Sequence, residues 1–159
     1  VKAILEQDGP VYIRFGREPM PDFTDENQEF VIGKGQIMKD GADICIIATG
    51  HEVWESLEAA KRLELDGKSV MVVNMHTIKP LDEDLLLDLA NRFSIIYTVE
   101  EHQIIGGLGS AVAEFLSEHR PVKIVRIGIN DEFGESGRAD ELMCHFKLDA
   151  EGIYSKLKI

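Results

Sequence analysis

The chain has 159 residues, a formal net charge of -12 and a hydrophobic fraction of 44%, with a mean hydropathy of -0.09. That length suits one α/β domain, and no apolar run approaches the roughly 18 residues that span a bilayer. Acids outnumber bases 29 to 17, which argues against the clustered Lys and Arg of a nucleic-acid surface and against docking on an anionic membrane.

The opening Val1-Lys2-Ala3 has no methionine and no signal-peptide character, and it reads as a cut within a longer polypeptide. Residues 1–7 read as the end of a helix, and Asp8-Gly9-Pro10 as a turn. Val11-Tyr12-Ile13-Arg14-Phe15 alternates as a strand does. Glu18-Pro19-Met20-Pro21-Asp22 breaks that pattern, and the polar stretch to Glu29 has no period. Residues 1–29 are therefore expected to be the last edge of one domain plus a linker, and residues 30–159 a second, complete domain.

From Phe30 an α/β alternation begins. Residues 30–39 hold one or two short strands around Gly33 and Gly35, closed by the Asp40-Gly41 turn. Ile44-Cys45-Ile46-Ile47-Ala48 is a continuous apolar run, typical of a strand covered on both faces. Helical spacing follows over 52–65, then a valine-rich strand over 69–75, a leucine-rich helix over 82–93 and a strand over 94–99. Leu108, Ala111, Val112, Phe115 and Leu116 mark another helix, 122–129 another strand, and two short helices near 138–146 and 149–158 end the chain. Alternation of this kind predicts a three-layer α/β/α sandwich with a mostly parallel five-stranded sheet. The tight turn after residues 36–38 permits only antiparallel pairing, so one antiparallel edge strand is expected.

Cys45 and Cys144 lie in no Cys-x-x-Cys pattern and are expected as two buried, reduced thiols of a cytoplasmic protein. The five histidines never fall three or four apart, so no local metal-ligand pair exists. No Gly-Lys-Ser/Thr follows a glycine at P-loop spacing, since Arg62 stands where Gly67-Lys68-Ser69 would need one, and Gly134-Glu135-Ser136-Gly137 is one residue short of a hydrolase elbow.

Gly106-Gly107-Leu108-Gly109 precedes a helix but fails the dinucleotide fingerprint, since the sixth position counted from Gly107 is Val112. The glycines fit a helix N-terminus in close approach to neighbouring backbone, and an anion at that N-terminus is the other reading. Glu100-Glu101-His102 falls at the carboxyl end of a predicted parallel strand, where open α/β sheets meet ligands and partners; a buried acid there also serves to accept from backbone amides. Arg17, beside Gly16, offers a planar fork to a phosphate or carboxylate, or pairs with Glu18 or Asp22.

Taken in order, these motifs resemble the transketolase family. Gly9-Pro10-Val11-Tyr12-Ile13-Arg14-Phe15-Gly16-Arg17 is similar to the end of its pyrimidine-binding domain, and residues 44–50 with His51-Glu52-Val53 to the opening of its C-terminal domain. Thr77-Ile78-Lys79-Pro80-Leu81-Asp82, Thr98-Val99-Glu100-Glu101-His102 and Phe133-Gly134-Glu135-Ser136-Gly137 resemble later signatures of that domain. Synthases of 1-deoxy-D-xylulose 5-phosphate and 2-oxoacid dehydrogenase beta chains share part of the set, and the short, split transketolases share most. The resemblance implies ketol transfer between sugar phosphates, with thiamine diphosphate and magnesium held in the complete enzyme by other domains or an N-terminal subunit. It implies no catalytic residue, cofactor or metal site in this chain alone. Arg17 would grip the substrate phosphate; Glu100, His102, Gly106, Gly107 and Gly109 would lie at a subunit interface or the ligand-side sheet edge of a homodimer. A free-standing interaction module of the same fold is the non-enzymatic alternative.

Overall fold

A computed structural model describes residues 1–25 and 28–158. Strands β1 (Gln36–Lys39), β2 (Ile44–Ala48), β3 (Val70–Asn74), β4 (Ile95–Gln103) and β5 (Lys123–Ile129) alternate with helices α1 (Glu52–Leu65), α2 (Glu83–Arg92) and α3 (Leu108–His119). Helices α4 (Ala139–His145) and α5 (Ala150–Leu157) follow. One five-stranded sheet has the order β1-β3-β2-β4-β5. All pairs are parallel except β1 with β3.

Side chains of the central strands alternate between two cores, as the period of a strand requires. Ile46, Val70, Val72, Tyr97 and Val99 point to one face, where Val53, Ala60 and Leu63 of α1 meet Ile153 and Leu157 of α5. Cys45, Ile47, Met71, Val73 and Ile96 point to the other, against Leu86 and Leu89 of α2 and Val112 and Leu116 of α3. The predicted sandwich is thus present.

The antiparallel edge strand is also present, but its partner is not the next strand in sequence. β1 passes the amino end of β3 and pairs on its far side, with Gln36 opposite Asn74. Gly41 makes the crossing possible, because a β-carbon there would stand 2.2 Å from the Val70 carbonyl carbon. Asp43 fixes it: its amide donates to the Ser69 carbonyl at 2.8 Å and its carboxylate accepts from the Ser69 amide at 2.7 Å. At the other end, buried Asp82 caps α2 through the Leu85 amide and accepts from the Gly35 amide at 2.9 Å.

Two expectations need correction. Residues 11–15 form no strand and join no sheet among the described residues; alternation supplies the pattern of a strand, but a lone extended segment has no ladder to satisfy its amides. Residues 2–6 form a short 3-10 helix without a buried residue. The second correction concerns the thiols. Cys45 is buried, but Cys144 is exposed, since α4 buries none of its residues.

A carboxyl edge spanned by the N-terminal segment

The strand order reverses between β2 and β4. From β2 the chain enters α1 on one face, and from β4 it enters α3 on the other, so a crevice opens between these two carboxyl ends. Glu100, Glu101 and His102 stand there, inside β4 rather than beyond it. Pairing with β5 loses register between Val99 and Gln103, and this irregularity sends neighbouring side chains to different places.

Glu100 turns inward and is buried. Its two carboxylate oxygens accept from the Leu108 amide at 2.8 Å and the Gly109 amide at 2.9 Å, the first free donors of α3. The helix N-terminus is therefore filled by the chain's own anion, and the glycine loop is no anion or nucleotide cradle. Close approach is the reason for the glycines, although the neighbours are side chains rather than backbone. A β-carbon on Gly107 would fall 1.9 Å from Glu100 Oε2, and one on Gly109 2.6 Å from Thr98 Oγ1. Gly106 turns the loop at a φ of +79°, and its amide donates to Ser110 Oγ at 2.9 Å. Arg126 closes the loop by donating to the Ile104 carbonyl at 2.9 Å.

His102 is half-buried beside Glu100. Its ring Nε2 contacts the guanidinium of Arg14, 88 residues earlier. Burial first, then the charge of Arg14, holds its pKa below the usual histidine value, with Glu101 and Glu100 acting the other way. Arg17 is not drawn into this group. Its side chain is 94% exposed and pairs with Glu18 Oε1 at 3.0 Å, one of the two arrangements its spacing allowed.

Glu52, the first residue of α1, is the site feature that sequence reasoning missed. Its side chain is 0% exposed, and among the described residues neither carboxylate oxygen has a hydrogen-bond partner; Ser56 Oγ, one turn on, is likewise buried and unpaired. Burial, then Glu55 and Glu101, push its pKa up to about 9, against a lowering by Lys156. An acid in a first helical turn is ordinarily a solvated partner of the helix dipole, so nothing in its position signals burial.

A cavity of about 370 Å³ opens at the opposite, amino edge, lined by Ile44, Lys68, Arg92, Tyr97 and Leu157 among others. Its arginine is already paired with Asp40 at 3.2 Å. Among the described residues no group of three or more His, Cys, Asp or Glu could hold a metal ion, and no helix is long and apolar enough to cross a membrane.

The profile described as "Transketolase, C-terminal domain" matches residues 33–153. The chain belongs to the transketolase C-terminal domain family. A 6-deoxy-6-sulfo-D-fructose transketolase subunit of Clostridium sp. (strain MSTE9) is 45% identical over 150 residues, 94% of this chain and 47% of that protein. A 1-deoxy-D-xylulose-5-phosphate synthase of Caldanaerobacter subterraneus subsp. tengcongensis is 36% identical over 157 residues, 96% of this chain and 25% of that protein. Among solved structures, a split-gene transketolase described as an inactive beta4 tetramer superposes with a TM-score of 0.92 at 42% identity, over 99% of this chain and 53% of that one. The chain thus spans about half the length of the transketolase subunit it matches, and a quarter of the synthase.

Proposed function

We propose that this chain is the C-terminal portion of a thiamine-diphosphate-dependent transketolase, where it acts as scaffold and subunit contact and supplies Arg17 to the anionic end of the sugar. The observation that carries this reading is the segment 11–15. Tyr12 is 89% exposed and Phe15 71%, with Val11 and Ile13 also in water. An apolar, extended run without a sheet is an edge prepared for strand addition. Its occupant in this reading is the remainder of the pyrimidine-binding domain, in the missing part of the same chain or in an N-terminal subunit. A match over about half of a transketolase subunit supports that division.

Thiamine diphosphate with magnesium does not fit the residues present here. No described cluster suits the metal, and the amides that would meet a pyrophosphate at α3 are taken by Glu100. In this reading the cofactor and its activating glutamate belong to the remaining domains, and this chain alone is expected to be inactive. The assembled enzyme is a homodimer in the cytoplasm, where the unpaired Cys45 and Cys144 remain reduced.

In the assembled enzyme a two-carbon ketol unit passes from a ketose phosphate to an aldose phosphate. Arg17 anchors the non-reacting end, since a rigid guanidinium meets phosphate or sulfonate oxygens bidentately. The synthase reading is the weaker, at 36% identity against 45%. Arg17→Ala in the assembled enzyme tests the role by steady-state kinetics. The KM for phosphorylated sugars is expected to rise about ten-fold or more, far beyond that for unphosphorylated ones. Equal effects on both would remove the phosphate role.

A further inference from the structure

The N-terminal segment lies along the carboxyl edge of the sheet and is held at three places. Arg14 meets His102 on β4. Phe23 packs against Trp54 of α1, ring centroids 6.1 Å apart, and Phe30 stacks on His76, beyond β3, at 4.1 Å. Arg17 stands three residues past the first of these contacts, and a chain of that length extends at most about 10 Å. Its location is therefore set by where Arg14 is fixed.

We propose that His102 is a positioning residue for substrate binding: by accepting from Arg14 it fixes the segment that presents Arg17 to the anionic end of the sugar. The proposal rests on the reading of Arg17 given above. Arg14 carries a permanent charge and only donates, so the contact requires a neutral imidazole with Nε2 as acceptor and the proton on Nδ1. The low pKa of His102 accords with that state; Arg14 faces the ring from the N-terminal segment, and Glu100 and Glu101 lie beside it on β4. Arg17 lies past the run 11–15 that the remaining domain would cover, so without the contact it loses its nearest anchor on this chain, and the substrate must bear more of the entropy of fixing it. Such a loss weakens the ground and transition states alike, so KM rises while kcat changes little.

The decisive experiment is a double-mutant cycle of Arg14→Ala and His102→Ala in the assembled enzyme, with phosphorylated and unphosphorylated ketol donors, beside Arg17→Ala. Each single change is expected to raise the KM for the phosphorylated donor several-fold, to about ten-fold, with kcat nearly preserved, and the double variant to be no worse than either. His102→Gln, whose amide oxygen can accept from Arg14, should recover most of the loss. Proton NMR titration of the His102 ring in the Arg14→Ala chain should show a raised pKa. Additive KM effects, equal losses on both donors, or an unmoved ring titration overturn the proposal while leaving Arg17 in place if Arg17→Ala still discriminates. Failure of Arg17→Ala to discriminate overturns both.

Discussion

At the scale of single residues, Glu52 has the largest expected effect on stability. In the folded chain its carboxyl titrates at about 9 against 4.5 for an ordinary glutamate, chiefly through burial. Between those values the unfolded chain has released a proton that the folded chain keeps. Stability is therefore lost as pH rises from the unfolded value through the folded one, by at most about 1.4 kcal/mol per pH unit from this group, and levels off above it. Glu52→Gln should be more stable at neutral pH and should show a flatter dependence in urea titrations between about pH 5 and pH 9. An unchanged slope in the variant would show that Glu52 ionises normally. Glu100, equally an acid at the carboxyl edge, has the opposite surroundings: two amides receive it. Sequence reasoning anticipated a buried acid accepting from backbone amides at this edge, but not that the amides are those opening α3. It did not anticipate Glu52, whose burial depends on α5 and on β4, far away in sequence. The Arg14–His102 contact was hidden for the same reason.

At the scale of elements, most of the fold was legible. Helix α1 occupies the predicted 52–65, and β2 the apolar run 44–48, because buried elements have unbroken apolar faces. What the pattern could not give was pairing. The turn at Asp40-Gly41 implies antiparallel strands, yet β1 lies beyond β3 because Gly41 lets the chain pass against the Val70 backbone. Gly41→Ala is accordingly expected to destabilise the chain by about 2–3 kcal/mol in urea unfolding. Gly134→Ala, with nothing within 4 Å of the added carbon, serves as the comparison and should change little. Equal stabilities would mean that the crossing is looser than the contacts indicate. Residues 11–15 illustrate the converse: a strand pattern is present, but its sheet is not, so the propensity has nothing to act on.

At the scale of the whole molecule, the complete two-faced sandwich and the unpaired N-terminal segment differ in kind. The first closes its own cores on both sides of the sheet. The second leaves aromatic and β-branched side chains in water and places Arg14 beside the carboxyl edge. That contrast, together with the half-length match to a transketolase subunit, supports the proposal that the chain is one part of a larger enzyme. The direct test is ketol transfer from a ketose phosphate to an aldose phosphate in the presence of thiamine diphosphate and magnesium. It is measured for this chain alone, for the remaining domains alone, and for the two together. Activity is expected only when both are present; turnover by this chain alone would contradict the assignment.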